Sequence, residues 1–187
     1  ATAEQLNAID AATAVAVDAR AVTELSGSYS DLVTLYGSSG VTGLENENIT
    51  ITGGSLTVTQ ANAIDLLTTG VVTASIVTTE TVDSLKTLTG TNNAYTIVIS
   101  ETSASASDLN AINGLTTATV DLTNVTSVTS SALSDLDTLA NAINANPDQF
   151  INATNLTTSA VSDSEIDITS SEATIDTLDP VSYTHLR

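Results

Sequence analysis

The chain has 187 residues, 41% hydrophobic but only 3% aromatic, with no Trp, no Met and the single Phe at Phe150, so its core has to be aliphatic. It carries 22 Asp and Glu against 3 Lys and Arg, a net charge of −19, which repels phosphate backbones and argues against a nucleic-acid partner. The absence of cysteine removes disulfides, thiolate metal sites and thiol nucleophiles, and no apolar run nears the roughly 18 residues that span a bilayer, so no membrane insertion is expected.

In chain order, the first motif is Leu6-Asn7-Ala8-Ile9-Asp10. It returns as Leu109-Asn110-Ala111-Ile112-Asn113, 103 residues later, and Val17-Asp18 and Val22-Thr23 return as Val120-Asp121 and Val125-Thr126 at the same distance. Asn62-Ala63-Ile64-Asp65 with Thr68-Thr69 matches Asn110-Ala111-Ile112-Asn113 with Thr116-Thr117. Self-similarity of this kind predicts stacked units, none of which buries its apolar face alone. The segment Ser26–Asn48 breaks the short spacing: it predicts a helix around Tyr29–Tyr36 followed by Gly37-Ser38-Ser39-Gly40-Val41-Thr42-Gly43-Leu44, the first of two longer units.

Period-two alternation then marks strands. Ile49, Ile51; Val72, Ala74, Ile76; Tyr95, Ile97, Ile99; and Ala118, Val120, Leu122 point inward. Thr50, Thr73, Thr96 and Thr119 recur every 23 residues and predict one outward column of hydroxyls. Thr52-Gly53-Gly54-Ser55 reads as a turn between strands Ile49–Thr52 and Leu56–Thr59. Between strands, Ala61, Ile64, Leu67; Val82, Leu85, Leu88; and Ala106, Leu109, Ile112, Leu115 give one apolar stripe per short helix. Thr79 and Ser105 are the expected N-caps, and Gly70, Gly90 and Gly114 fall at helix ends, where positive φ is often needed. The second longer unit follows Val128, with the stripe Ala132, Leu136, Leu139, Ile143 ended by Asn146-Pro147-Asp148. Ile166-Asp167-Ile168-Thr169 matches Ile49-Thr50-Ile51-Thr52 and starts a further unit.

The expected architecture is therefore an α/β repeat solenoid with a parallel β-sheet and short helices, about 23–24 residues per unit with two longer units. A plain β-helix, in which the helices are turns, is the alternative. Residues 1–180 form one array, expected to be a fragment of a longer repeat protein.

The chemistry of a catalytic site is missing. Nucleophilic catalysis needs a base beside the nucleophile; the only His is His185, and Lys86, the only Lys, reads as a solvated residue opposite its helix stripe. No catalytic, cofactor-binding or metal-ligating residue is expected, and the chain is read as non-enzymatic. Calcium, the one ion the acidity favours, needs several converging oxygens. Asp163-Ser164-Glu165-Ile166-Asp167 and Glu45-Asn46-Glu47-Asn48 are the richest clusters, and neither has EF-hand spacing. Asp18 and Asp121 occupy equivalent positions. The Asn-x-Ser/Thr matches at Asn48, Asn124, Asn152 and Asn155 are what a Thr-rich chain produces by chance. A structural segment is the first functional expectation. The second is a ligand-binding module using the Thr-bearing face for surface glycans, or less readily for ice, since the next outward column runs Thr52, Ser75, Val98, Asp121.

Leu-Asn-Ala-Ile-Asp/Asn, Thr-Thr-x-x-Val-Asp, Gly40-Val41-Thr42-Gly43-Leu44, Leu56-Thr57-Val58-Thr59-Gln60-Ala61 and Leu88-Thr89-Gly90-Thr91-Asn92-Asn93-Ala94-Tyr95-Thr96-Ile97 resemble tandem repeats in giant secreted or cell-surface, RTX-adhesin-like proteins of marine bacteria, notably cyanobacteria. The resemblance implies an extracellular, adhesin-like stalk whose partners are neighbouring repeats, surface glycans or calcium. The Gly-Gly-x-Gly-x-Asp calcium nonapeptide is absent from this stretch, and a calcium-rigidified module stays a further alternative to the structural segment. Val181-Ser182-Tyr183-Thr184-His185-Leu186 resembles one translation of the transposase mosaic-end adapter used in sequencing libraries. That implies a non-native tail over 181–187 and a metagenomic origin.

Overall fold

The structure is a computed structural model that describes residues 1–158 except 91, 130, 146–148, 154 and 155. The predicted unit at Ile166–Thr169, the acidic cluster Asp163–Asp167 and the tail 181–187 lie outside the described residues.

The fold is α/β. Helices α1 (Ala3–Ala12), α2 (Tyr29–Gly37), α3 (Val58–Asp65), α4 (Val82–Leu85), α5 (Ala106–Asn113) and α6 (Leu133–Ala145) alternate with strands. Five of the six have eight or more residues, so they are helices and not the turns of a plain β-helix. The first five start on a Ser or Thr whose hydroxyl accepts the N–H three residues on: Thr2, Ser28, Thr57, Thr81 and Ser105. The cap at Ser105 matches the sequence expectation, and the cap at Thr79 does not. The cap of α4 lies two residues later, at Thr81, and Val82, Leu85 and Leu88 are buried in the core. Thr57 is likewise a cap, and Thr59 is helical, so Leu56–Thr59 is no strand; only Leu56 bridges to a strand, at Ile76.

The strands are β1 (Val17–Asp18), β2 (Glu24–Gly27), β3 (Val41–Thr42), β4 (Asn48–Ile51), β5 (Val72–Ser75), β6 (Ala94–Val98), β7 (Ser103–Ser105), β8 (Val120–Asp121), β9 (Ser127–Thr129), β10 (Phe150–Ile151) and β11 (Thr157–Thr158). Six of them form one parallel sheet in the order β10-β8-β6-β5-β4-β2; β1-β3 and β7-β9-β11 form two smaller parallel sheets. The register fixes the spacing between neighbours: Leu25 faces Ile49, Ile49 faces Val72, Ala74 faces Tyr95, Ile97 faces Val120 and Val120 faces Phe150.

These pairings correct two expectations. The Thr column at constant spacing of 23 is broken: Thr50 faces Thr73, but Thr73 faces Ala94, and Thr96 faces Ser75. Helix α4 has four residues where α3 and α5 have eight, so the chain returns to the sheet early and the register moves by two. A shift of two keeps every inward residue inward, because the side-chain period of a strand is two; Ala74, Tyr95 and Ile97 are all buried. The first longer unit also dissolves. Ile49 aligns with Leu25 and Ile51 with Gly27, both at the short spacing, while Val17 faces Val41 in a separate sheet. Asp18 and Asp121 therefore occupy different sheets, although each ends a Val-Asp strand in the same tight turn, accepting the N–H of Arg20 and of Thr123. The second long spacing, Val120 to Phe150, is present, and the 13-residue α6 accounts for it.

One hydrophobic core runs from Ala3 to Phe150, with inward strand residues facing the helix stripes. Tyr95 is its largest fully buried side chain. The opposite face of the sheet is open: Thr50, Thr73, Ser75 and Thr96 are exposed. Among the glycines, Gly90 has the expected positive φ of +85, but Gly114 caps α5 at φ −68. Gly70 is needed for space, since a Cβ there would lie 2.3 Å from the Glu47 carbonyl oxygen.

Candidate functional site

Among the described residues, no three His, Cys, Asp or Glu side chains converge on a point that could hold a metal ion. The cluster Glu45-Asn46-Glu47-Asn48 is dispersed by the strand it enters. Glu47 takes an inward position and is fully buried, with Oε2 accepting the Glu45 and Asn46 N–H groups at 2.9 and 3.2 Å. Its Oε1 has no partner among the described residues. Asn48 points outward, with Oδ1 accepting from Val71 N–H and Nδ2 donating to Glu24.

What converges instead is a set of polar rungs between successive segments. The Asn of the repeated motif is one. Asn7, Asn62 and Asn110 each sit fifth in their helix and donate from Nδ2 to a backbone carbonyl of the next segment: Asp31, Thr87 and Asp135, at 2.9, 2.8 and 2.9 Å. At the corresponding point past the start of α4, one residue beyond the end of that shorter helix, stands Lys86, whose Nζ reaches Asp108 of α5 at 2.7 Å and Asp83 at 2.9 Å. Helix N-termini are served the same way. The first N–H of α3, α4 and α5 is taken by a side chain from downstream: Val58 by Glu80, Val82 by Glu101 and Ala106 by Ser131. Free helix N–H groups must find partners, and here the next segment supplies them.

No protein-family model, curated protein or solved structure matches this chain.

The deepest rung is Asn93, 1% exposed. Its Oδ1 accepts the Val72 N–H at 2.8 Å, and its Nδ2 donates to Asp65 at 2.7 Å and to the Tyr95 hydroxyl at 3.1 Å. Burial, together with the Asp65 charge, pushes the Tyr95 hydroxyl pKa far up, so it stays protonated. Threonines add outer rungs: Thr69, Thr117 and Thr126 donate through Oγ1 to the carbonyls of Glu45, Asn93 and Thr102. Three of the Asn-x-Ser/Thr sites have their Nδ2 engaged as well. Asn48 donates to Glu24, Asn124 to the Ile99 carbonyl and Asn152 to Asp121; Asn155 lies outside the described residues.

Lys86 departs from the expected solvated residue. The hydrogen bonds it donates to Asp108 and then Asp83 raise its pKa, and the Lys86 ammonium in turn lowers that of Asp108. A lowered carboxylate contributes stability above its unfolded pKa, and that contribution is lost as pH falls through the folded value. A raised lysine contributes below its unfolded value and loses this as pH rises through the folded one. The bridge thus acts across neutral pH. Lys86→Met is expected to lower the melting temperature at pH 7, with the gap to wild type closing at about pH 2; a gap of equal size at both pH values contradicts the charge account. Arg20 has a different role. It lies with Asp18 on the exposed surface and holds that carboxyl down to about 2.

One cleft stands apart from the rungs. Strand β4 ends at Ile51, and the chain detours through residues 52–55 before Leu56 rejoins the sheet opposite Ile76. The detour and the first turn of α2 border an open cleft of about 240 Å³. Gly53 and Gly54 have φ of +80 and +152, conformations that L side chains rarely adopt. The sequence marks this stretch as a turn; its position beside α2 is set by the sheet.

Proposed function

We propose that the chain is a stretch of a solenoid serving as a structural segment of a large extracellular or cell-surface protein: a spacer, stalk or adhesin-like coat, without catalysis. The observation that carries this reading is the use made of Asn7, Asn62, Asn110 and Lys86. These corresponding helix positions direct their polar groups into the next segment of the same chain. Residues kept for stacking leave the outside free to vary. The partners on this reading are neighbouring segments of the same chain. The acidic surface suits solubility in salt water, because counter-ions screen its self-repulsion. Among the described residues no helix is long and apolar enough to cross a membrane.

A second reading, a glycan-binding face on the sheet, is favoured by the exposure of Thr50, Thr73, Ser75 and Thr96. The broken Thr column counts against ice, which needs a regular lattice of hydroxyls. A calcium-rigidified module is the remaining alternative. Thermal melts in millimolar calcium, in magnesium and in chelator separate it from the spacer: the spacer melts at the same temperature in all three, whereas a calcium-specific rise shows linkage of folding to the ion.

A further inference from the structure

We infer that the cleft between the start of α2 and the loop 52–55 is a binding site for a single neutral pyranose sugar. It goes beyond the spacer reading and does not depend on it. Three observations lead to it.

The first is charge. In a chain of net −19, the lining of this cleft contains no charged residue. An ion or zwitterion held there would lose hydration without a counter-charge, which is costly. A neutral polar ligand has no such cost.

The second is hydrogen-bonding capacity. Tyr29, Thr52, Ser55 and Gln60 line the cleft, and Tyr29 Oη, Thr52 Oγ1, Ser55 Oγ and Gln60 Nε2 make no bond to any described residue, whereas the other polar end of Gln60 is fixed by accepting the Thr57 N–H at 3.0 Å. The Gly53 and Gly54 N–H groups are equally uncommitted. Donors and acceptors at this density, with Ile51 and Leu56 behind them, suit a ring bearing several hydroxyls. Tyr29 is the one aromatic residue in the lining, and an aromatic face attracts the polarised C–H groups of a sugar ring.

The third is size and local construction. About 240 Å³ admits one hexose and no longer saccharide without protrusion into solvent. Beyond the Thr52 N–H, which donates to the Gly27 carbonyl at 2.9 Å, the detour adds no bond to a neighbouring segment: all four of its residues are exposed, and an added Cβ at Gly53 or Gly54 would meet nothing within 4 Å.

The test is a ¹H–¹⁵N NMR titration of the full chain with D-glucose, D-galactose and D-mannose in turn, to roughly 50 mM, because so small a ligand is expected to bind at about millimolar affinity. Saturable shifts with at least one hexose, confined to Ser30 and Gly53–Ser55, support the site. Binding at least about tenfold weaker in Tyr29→Leu and in Thr52→Val supports it further. No saturable shift with any of the three, or unchanged binding in both variants, overturns it. Thr52 is exposed, so its variant keeps the fold and decides the matter if Tyr29→Leu does not fold. A null titration leaves the calcium melts, and the spacer reading with them, untouched.

Discussion

Asn93→Leu is expected to lower stability by about 3 kcal/mol, although it swaps one buried side chain for another of similar size. Leucine offers neither donor nor acceptor, so the Val72 N–H and the Tyr95 hydroxyl lose the partner they have in the interior, and Asp65 loses its amide donor. An orphaned buried group costs about 1–3 kcal/mol. For a domain of this size the shift is roughly 6–12 °C in melting temperature, readable by circular dichroism. Asn93→Asp is the informative companion: it keeps the acceptor for Val72, removes the amide donor and places a second carboxylate against Asp65, so it too is destabilising. A melting temperature within about 2 °C of wild type for Asn93→Leu contradicts the rung.

Leu109→Ala is the second large effect. Leu109 is fully buried in the stripe of α5 between Ala106 and Ile112, and the same helix carries the Asn110 rung. Truncation removes packing and leaves a cavity the neighbours fill only in part, for about 2–5 kcal/mol. Denaturant unfolding followed at two wavelengths checks both size and mode. One coincident transition at lower denaturant is expected, since the core is continuous from Ala3 to Phe150. Two separated transitions mean that the segments on either side of α5 unfold independently.

Much of this fold is legible in the residues because two periodicities carry it. Alternation placed Val72, Ala74, Ile76, Tyr95, Ile97 and Ile99 inward, and the three-residue stripe placed Ala106, Leu109 and Ile112, all of them buried. Strands β1 and β3 are two residues long, and two residues carry no alternation, so β3 goes unseen and β1 cannot be assigned to its own sheet from pattern alone. The register change between β5 and β6 depends on how far α4 advances the chain, a property of path length and not of either strand. The repeated Asn was visible as a residue, but its partner is a backbone carbonyl, which has no sequence signature. Glu80 illustrates the same limit: it lies just before α4, yet it caps α3 by accepting the Val58 N–H from 22 positions downstream. Lys86 looked solvated because Asp108, its partner, sits 22 positions away. The cleft was half legible: Gly53-Gly54 announces a turn, while its neighbour α2 is brought there by the pairing of β2 with β4.

The proposed stack, in which each level contacts mainly its neighbours, is tested most directly by an in-register deletion. Removing residues 98–120 joins Ile97 to Asp121, which replaces Val98 by the residue it faces across the sheet, and takes out β7 and α5 with one whole level. In a stack, stability is a sum of level and neighbour terms, so loss of one level weakens the whole without abolishing it. The account predicts a folded, cooperatively melting protein with helix and sheet signals retained and a lower melting temperature. A chain that shows no cooperative transition and no secondary structure after this deletion contradicts the stack and, with it, the spacer function.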